Sequence, residues 1–391
     1  MIKNNITVGI DIGTHFTKVV VVGFDKGKKE LAVLATGISE TKGMRFGYVT
    51  NADIAAESIR KAVNQAENIL GIKIRRAYVS ISGIGLSSVT STGSVIISKA
   101  DQEITTFDVS KVITNSEENL EILNKKIIHT IPIAYKLDGK DVYVRPEGLR
   151  GIKLEVKTLF ITCLKQNIED LITAFTLAKI DIEEIIASPI VIGNILLNNK
   201  QKVAGCVLVD IGFETVSATV FENNLPISVS VFSIGSMDIT KDIALGFRIS
   251  LEEAESIKLG SVIGGDYSKK KIDEIVEARL GDIFELVGNQ LKRLKRNELL
   301  PAGIIITGGG SSINNIEEIA RNQLKLPARV GPIDYSLNNK FKIRDNSWYT
   351  ALGLALSTSD EFSNEQSKNL FGGNMTELKK FFKSIFSQLL P

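Results

Sequence analysis

The stretch GIDIGTHFTKVVVVGF, residues 9–24, decides the fold of this chain. Apolar residues on both sides of a short polar break predict a buried strand over residues 8–12, a tight turn at Gly13 and a returning strand over residues 17–22. Asp11 stands where the first strand ends, and Gly13 lets the backbone approach a ligand with its N–H groups uncovered. The pattern therefore predicts a hairpin whose tip suits a phosphate group and its magnesium ion.

A second stretch, GCVLVDIGFETVSATVF at residues 205–221, repeats this plan with Asp210, Gly212 and Thr215. One Asp-Ile-Gly turn alone is equally typical of an ordinary hairpin. Two copies favour two similar lobes that grip a polyphosphate from opposite sides, with Asp11 and Asp210 holding magnesium through water. The repeat therefore predicts a nucleotide in a cleft between the lobes.

Two further stretches complete the candidate site. IIITGGGSSI, residues 304–313, indicates a buried strand, three glycines and then a helix, where bare backbone can pack against a ligand; the alternative is an ordinary tight turn. Glu255 and Lys258 lie three apart on one helical face, either in the site or as a solvated ion pair. No Gly-Lys-Ser/Thr follows the three glycines, which excludes the P-loop mechanism, and the Rossmann glycine spacing is also missing here.

Composition bounds the remaining possibilities. The chain of 391 residues is longer than one ordinary domain, so several domains are expected. Its 47 Lys and Arg residues nearly balance its 45 Asp and Glu residues, so the protein has no overall positive electrostatic field that would attract nucleic acid. Cys163 and Cys206 lie in apolar runs and are expected to be reduced core thiols, and His129 in an apolar strand is expected to be core as well. We expect no secretory signal, and no stretch approaches the roughly 20 apolar residues of a membrane span.

The order of strand-like and helical segments predicts an α/β fold. Residues 86–164 differ from the flanking segments in the pattern of their strand-like and helical stretches, and Ser- and Gly-rich turns bound them. This change predicts a small separate α+β insert. Residues 357–374 are rich in Ser, Asn and Gly, which is typical of a flexible tether. The chain therefore reads as a multidomain protein with a tethered C-terminal segment.

The C-terminal stretch GGNMTELKKFFKSIFSQLLP, residues 372–391, predicts an amphipathic helix that begins near Asn374. Its apolar face comprises Leu378, Phe381, Phe382, Ile385, Phe386, Leu389 and Leu390, and its basic flank comprises Lys379, Lys380 and Lys383. At about 1.5 Å per residue the helix is too short to cross a bilayer. It is expected to lie in the interface of an anionic membrane, the alternative being a helix docked on the protein's own core.

These motifs, in this order, resemble the phosphate and adenosine motifs of the actin-like ATPase superfamily. The segments between them resemble the FtsA family of bacterial cell-division proteins; they include AYVSISGIGLSSVTSTGSV, ITTFDVSKVI, IIHTIPIAYKLDGKDVYVRPEGLRGIKLEV, MDITKDIALGFRISLEEAESIKLGSV and WYTALGLALS. The resemblance implies a duplicated, ribonuclease H-like, two-lobed α/β fold. It also implies the following division: subdomain IA at 1–85, 165–200 and 345–358, subdomain IC at 86–164, subdomain IIA at 201–236 and 300–344, subdomain IIB at 237–299, a linker at 359–374 and a membrane-targeting helix at 375–391.

The resemblance implies ATP and Mg²⁺ as ligands. The implied contacts are Asp11, Gly13, Thr14, His15, Thr17, Lys18, Asp210, Gly212, Phe213, Thr215, Glu255, Lys258, Gly308, Gly309, Gly310 and Ser311, with Asp11 and Asp210 at the metal and His15 contributing backbone at most. Phe213 and Glu214 stand where glycines are usual, so Glu214 is expected to repel a γ-phosphate or redirect magnesium. Ala187 and Ser188 stand where related ATPases place a water-orienting Glu or Gln, so we expect slow hydrolysis or none.

The implied partners are FtsZ through its C-terminal peptide, further copies of the chain in an actin-like filament, later division proteins, and the cytoplasmic face of the membrane at the division site. Arg279, Lys292 and Arg293 are the candidate peptide contacts, although such charge runs also occur on solvated helix faces. The main alternative is a PilM-like protein of type IV pilus assembly, which would not need the basic tail. A sugar kinase would need an acidic base and a DnaK-type chaperone a peptide-binding domain, and the sequence offers neither.

Overall fold

The computed structural model describes residues 6–25, 30–260, 267–331 and 345–357. The strands within these ranges are β1 Ile6–Ile12, β2 Phe16–Asp25, β3 Glu30–Glu40, β4 Met44–Arg45, β5 Tyr48–Val49, β6 Arg76–Ile81, β7 Ser87–Ile96, β8 Lys125–Leu137, β9 Lys140–Val142, β10 Lys153–Leu164, β11 Asp181–Ala187, β12 Cys206–Ile211, β13 Val216–Glu222, β14 Leu225–Phe232, β15 Ile304–Thr307 and β16 Ala328–Val330. The helices are α1 Ala52–Leu70, α2 Thr106–Glu118, α3 Lys165–Leu177, α4 Ser188–Leu196, α5 Asn199–Ala204, α6 Ser236–Phe247, α7 Leu251–Lys258, α8 Lys269–Arg293, α9 Ile316–Leu324 and α10 Tyr349–Ser357.

The two larger sheets share one plan. The first has the strand order β3-β2-β1-β6-β11 and the second β14-β13-β12-β15-β16. In each sheet the first three strands pair antiparallel, and the last two join them in parallel. Because the same five-strand unit occurs twice, the predicted duplicated α/β fold is confirmed, and we call the two units the first and second lobe.

Both predicted hairpins are present. β1 and β2 pair from Ile6 opposite Gly23 to Ile12 opposite Thr17, and β12 and β13 pair from Cys206 opposite Phe221 to Ile211 opposite Val216. The return strand of the first hairpin extends beyond the predicted residue 22 because it also pairs with β3 on its other side. Each hairpin lies inside its sheet, so its tip is a rigid platform.

The insert has a sheet of its own, with the strand order β7-β10-β8-β9. Val112 of α2 packs with Leu154 and Val156 of β10 in a small separate core. The insert also contacts the second lobe, since the Ser88 hydroxyl lies 2.7 Å from the Val229 amide nitrogen. The insert therefore has the predicted α+β structure. Its exact boundaries as subdomain IC stay a prediction.

A shared core joins the two lobes at their base. Helices α4 and α10 contribute Ile192 and Leu352, which pack with Val20 of the first sheet and Leu208 of the second. Burial of these aliphatic side chains fixes the base of the cleft between the sheets.

The thiols of Cys163 and Cys206 are buried and free, as predicted, and burial raises their pKa values to about 11 and about 12. None of the helices among the described residues is both long enough and apolar enough to cross a bilayer. The predicted linker at 359–374 and the predicted tail helix at 375–391 lie outside the described residues.

His129 connects the insert to the first lobe. It lies on β8 with 1% exposure, and its Nε2 accepts the Ala187 N–H at 2.9 Å. Desolvation by burial lowers its pKa to about 3, so the imidazole is neutral in the folded protein. The expectation that His129 is a core residue is confirmed.

This buried imidazole makes stability depend on pH. The imidazole of the unfolded chain is protonated below about pH 6.5, whereas the imidazole of the folded chain stays neutral down to about pH 3. The contribution of His129 to the free energy of unfolding is therefore fully present above pH 6.5 and is lost as the pH falls from about 6.5 towards 3. We expect His129→Gln, whose amide oxygen can still accept a hydrogen bond, to flatten the decline by about 1.4 kcal/mol per pH unit between pH 6 and 4. Urea unfolding of both proteins over this range measures the difference, and parallel curves would contradict the assignment.

Candidate functional site

The two hairpin tips are built alike. Gly13 N–H donates to the Phe16 carbonyl at 3.1 Å, and Gly212 N–H donates to the Thr215 carbonyl at 2.8 Å. Each bond closes a tight turn directly after the aspartate-bearing end of a buried strand. The local repeat seen in the sequence is therefore also a repeat of hydrogen bonding, and it presents the two tips to one cavity.

Asp11 and Asp210 are the acidic groups of this cavity. Asp11 Oδ1 accepts the Ser80 hydroxyl at 2.7 Å from the neighbouring strand β6. Burial raises the pKa of both carboxyls, and for Asp210 the nearby Asp11 raises it further, to about 7. Two carboxylates that disfavour each other's charge form a site that a cation stabilises.

Lys18 supplies the opposing charge. It stands directly opposite Asp11 in the hairpin register, and its side chain is buried. Its Nζ donates to the Ser347 carbonyl at 2.9 Å and also to the Ser347 hydroxyl. Burial lowers the pKa of Lys18, while Asp11, Asp345 and Asp210 raise it. The ammonium group thus lies between the two lobes, where it can attract an anion.

The triple glycine follows the end of β15 and approaches the second tip closely. Gly308 has φ +88°, and a Cβ built on it would lie 2.3 Å from Asp210 Oδ1. Residues Gly309–Ser312 then form one 3-10 turn, and α9 begins only at Ile316. The predicted order of strand, glycines and helix with acidic residues in its first turn is therefore present, and the short 3-10 turn between the glycines and the helix gives the cavity a bare backbone wall.

Glu255 and Lys258 lie on α7, as predicted, and pair at 2.7 Å. The Lys258 side chain is only 5% exposed, so the alternative of a solvated pair does not hold. Its Nζ also donates to the Thr240 hydroxyl at 2.9 Å and to the Ser236 carbonyl at 3.2 Å. The pair is held in place by α6 and borders the cavity.

A single cavity of about 1250 Å³ collects these groups. The predicted residues that line it are Asp11, Gly13, Thr14, His15, Lys18, Asp210, Gly212, Phe213, Thr215, Glu255, Lys258, Gly308, Gly309, Gly310 and Ser311. Thr17 does not line the cavity, which corrects its expected place among the contacts. Its hydroxyl is fully buried and bonds with the Thr41 hydroxyl at 2.8 Å, because Thr17 faces the opposite side of β2 from Lys18.

Several lining residues escaped the sequence analysis. Asn346 lines the cavity, and its Nδ2 donates to the Ser311 hydroxyl at 2.9 Å, whereas Ser80 supports the site only through its hydrogen bond to Asp11. Asp345 and Ser347, which engage Lys18, come from the same connection before α10. A lone Ser or Asn carries no pattern of spacing, so only the folded chain could bring these residues to the site.

Two residues of the tips make contacts that the sequence did not predict. The His15 imidazole stacks on the Phe213 ring with centroids 4.3 Å apart, and its expected backbone role towards a nucleotide stays a prediction. Glu214 does not face a phosphate, since its carboxylate contacts Arg45 Nε at 3.0 Å and the Phe46 N–H at 2.7 Å. The residues that replace glycines in the second tip therefore make contacts across the cleft.

Ala187 and Ser188 stand at the start of α4. Ser188 borders the cavity, and its hydroxyl lies 3.3 Å from that of Thr350. The methyl side chain of Ala187 cannot orient a water, and its N–H donates to His129. The arrangement agrees with the expectation that this position lacks a water-orienting carboxylate or amide.

The candidate peptide contacts lie on α8. Arg279 already makes a two-pronged contact with Asp242, at 2.6 and 3.0 Å, and a further one with Asp282 at 3.2 Å. Lys292 and Arg293 are exposed in the last turn of the helix. Arg279 is thus engaged by two aspartates, whereas Lys292 and Arg293 make no ion pair with any residue in the ranges that the structure describes.

The residues present fit a magnesium ion bound together with phosphate. Two carboxylates, each raised in pKa, face one cavity, and a divalent cation would neutralise them. The described ranges hold no group of three or more His, Cys, Asp or Glu side chains that could bind a metal alone. Phosphate and water oxygens would therefore have to complete the shell, as Mg²⁺ prefers.

Two lobes of one plan around such a cleft define an actin-like protein. Solved structures with this fold include the following two. One is described as the PilM-PilN type IV pilus biogenesis complex, with a TM-score of 0.64, 17% identity, and coverage of 90% of this chain and 97% of the other. The other is MreB5 of Spiroplasma citri bound to ADP, with a TM-score of 0.52, 12% identity, and coverage of 95% and 99%.

Sequence relatives then specify the family. The model of Cell division protein FtsA matches residues 207–353, and that of the SHS2 domain inserted in FTSA matches residues 83–162. FtsA of Bacillus subtilis is 30% identical over 90% of this chain and 83% of its own length. FtsA of Pseudomonas aeruginosa is 29% identical over 94% and 92%. The chain belongs to the FtsA family of cell-division proteins.

Proposed function

We propose that this chain binds ATP with Mg²⁺ between its lobes and polymerises on the cytoplasmic face of the membrane at the division site. There it anchors FtsZ filaments and recruits later division proteins. The convergence of Asp11, Asp210 and Lys18 from two matching hairpins in one cavity is the observation that supports this proposal most directly.

Different lining residues of the cavity suit different parts of the nucleotide. The bare backbone of Gly308 and its neighbours, together with the Glu255–Lys258 pair, would border the adenosine. Lys18 would attract the phosphates, and Asp11 and Asp210 would hold magnesium through its water shell. The bound ion would supply charge neutralisation for the phosphates and the two carboxylates.

Hydrolysis is expected to be slow or absent in this proposal. Phosphoryl transfer to water needs a group that orients the attacking water, and Ala187 has no side-chain polar atom for it. The bound nucleotide would then act as a ligand that favours the closed form of the lobes and hence assembly.

The C-terminal segment would attach the filament to the membrane. Seven apolar residues and three lysines at helical spacing suit an interfacial helix, and each lysine contributes on the order of 1 kcal/mol at an anionic surface. One copy would bind reversibly, and assembly would multiply such weak anchors. Attachment and polymerisation are therefore coupled without any direct conformational link.

Vesicle co-sedimentation with Mg-ATP tests this proposal. We expect the full chain to pellet with anionic vesicles and to form filaments on them, and truncation after Asn374 to reduce the pelleted fraction at least tenfold. Replacing Lys379, Lys380 and Lys383 with glutamate should reduce binding similarly while leaving the apolar face intact. Equal pelleting of all three proteins would place the tail on the protein's own core and move the PilM-like alternative to first place.

FtsZ would dock through its C-terminal peptide near the end of α8. Lys292 and Arg293 are exposed there, and their charge suits an acidic and apolar peptide. Arg279 would support the surface by fixing α8 against Asp242 of α6.

A further inference from the structure

Glu214 lies in the turn of the second hairpin, yet both of its carboxylate oxygens contact the first lobe. Its Oε1 lies 3.0 Å from Arg45 Nε, and its Oε2 accepts the Phe46 N–H at 2.7 Å. The Glu214 side chain is only 10% exposed, whereas that of Arg45 is 57% exposed. Shielding from water strengthens these charge-assisted bonds relative to a surface ion pair.

The backbone that receives Glu214 is itself strained. Phe46 has φ +48°, a left-handed conformation that is rare for a bulky residue. Such a conformation persists only where the surroundings fix it, and here the Glu214 carboxylate holds the Phe46 N–H. The contact from the second lobe therefore helps to determine the local structure of the first.

A second contact joins the tips themselves. The His15 ring of the first tip stacks on the Phe213 ring of the second, with centroids 4.3 Å apart and planes inclined by 23°. The Phe213 carbonyl accepts the Met237 N–H at 2.8 Å, which anchors this ring to the start of α6. Two adjacent residues of one turn thus bridge the cleft, one by charge and the other by ring stacking.

We infer that Arg45, Phe46 and Glu214, together with the stacked His15 and Phe213, form a latch that holds the lobes closed at the tip end of the cleft without nucleotide. We call these five residues the interlobe latch. Glycines in the second tip would leave the lobes free to separate there, because glycine has neither a ring nor a carboxylate. Phe213 and Glu214 therefore make closure a property of the chain itself.

This latch has a kinetic consequence, which rests on the proposed nucleotide function. A ligand held between two lobes leaves only when they separate, and separation must break the Glu214 contacts and the ring stack. The latch is therefore expected to slow both entry and release of a nucleoside di- or triphosphate. A hydrogen bond to a charged group is strong enough for its loss to change such a rate roughly tenfold.

Spin labels on the two lobes test closure directly. Lys61→Cys on α1 and Gln323→Cys on α9 place labels at exposed positions, while Cys163 and Cys206 are buried and stay unlabelled. In nucleotide-free protein we expect one short distance distribution for the native latch, and a broader, longer one for Glu214→Ala and for Arg45→Ala. Because Arg45 is largely exposed, its replacement leaves the core intact.

The matched control is Glu222→Gln, which breaks an ion pair with Arg296 inside the second lobe. It should leave the distances unchanged. Identical distributions for native, Glu214→Ala and Arg45→Ala proteins would overturn the latch. This comparison needs no nucleotide, so it remains decisive even if the proposed nucleotide binding fails.

Release of a fluorescent ADP analogue provides the second measurement. We expect release to be roughly tenfold faster from Glu214→Ala than from the native protein. Glu214→Gln keeps an acceptor for the Phe46 N–H but loses the charge that Arg45 contacts, and it should give an intermediate rate. Unchanged release rates alongside widened distances would show that the latch closes the lobes without limiting the ligand.

Discussion

Replacing Asp210 with asparagine is expected to stabilise the nucleotide-free protein and at the same time to remove most of its Mg-dependent nucleotide affinity. The two effects have opposite signs because the carboxylate is buried beside Asp11, where its charge is unfavourable until a cation arrives. An ordinary structural aspartate would not behave in this way.

The pH dependence of the first effect follows from the raised pKa of Asp210, about 7 in the folded protein against 3.8 in the unfolded chain. The contribution of the protonated Asp210 carboxyl to the free energy of unfolding is fully present below pH 3.8, and it is lost as the pH rises through about 7. At pH 8 we therefore expect Asp210→Asn to exceed the native protein in stability by roughly 2–4 kcal/mol. At pH 4 the difference should nearly vanish.

The second effect concerns the ligand. Without the Asp210 charge, Mg-ATP affinity should fall roughly 100-fold, since truncating one member of a buried charge arrangement has effects of this size. Thermal unfolding at pH 4 and 8, with and without Mg-ATP, measures both effects. Asp141→Asn, at an exposed position on the insert, is the matched control. A nucleotide-free Asp210→Asn protein that is less stable than native at pH 8 would show that the carboxylate is structural.

Gly308→Ala is expected to be the most damaging single-methyl change in the described part of the cleft. Its φ of +88° is unfavourable for a side chain, and the new Cβ would lie 2.3 Å from Asp210 Oδ1 and 2.4 Å from the Ile211 carbonyl oxygen. Strain and collision together should lower the free energy of unfolding by at least about 3 kcal/mol. Displacement of Asp210 should weaken Mg-ATP binding in the protein that still folds.

Two other glycines separate the cost of the positive φ from the cost of the steric collision. Gly309 has open space around its Cβ position and no positive φ, so Gly309→Ala should be nearly neutral. Gly71 ends α1 with φ +70° and also has open space, so Gly71→Ala should report the conformational cost alone, about 1 kcal/mol. Chemical denaturation of the three variants gives the comparison. Equal losses for Gly308→Ala and Gly71→Ala would mean that the turn moves away from the new methyl group and that the close approach to Asp210 is unimportant.

The sequence by itself determined the fold class and most of the cleft. Apolar runs interrupted by Asp-Ile-Gly predict two hairpins, and strand pairing, which is local there, leaves each aspartate at a strand end. The Glu255–Lys258 pair follows equally from helical spacing. Such features need only neighbours in the chain, so periodicity and turn chemistry are sufficient to find them.

Only the tertiary structure decided which of these groups lie together and how their pKa values are shifted. Thr17 and Lys18 are adjacent in sequence, yet the alternation of a strand sends one into the core and the other towards the cleft. From the sequence, Glu214 is expected to lie beside the phosphates. The fold instead brings its carboxylate within hydrogen-bonding distance of Arg45 and Phe46, and Phe46 lies 168 residues earlier in the chain. The raised pKa of Asp210 likewise depends on Asp11 in the other lobe. Contacts between distant segments and the desolvation of their charges arise only when the lobes pack, so no local pattern can contain them.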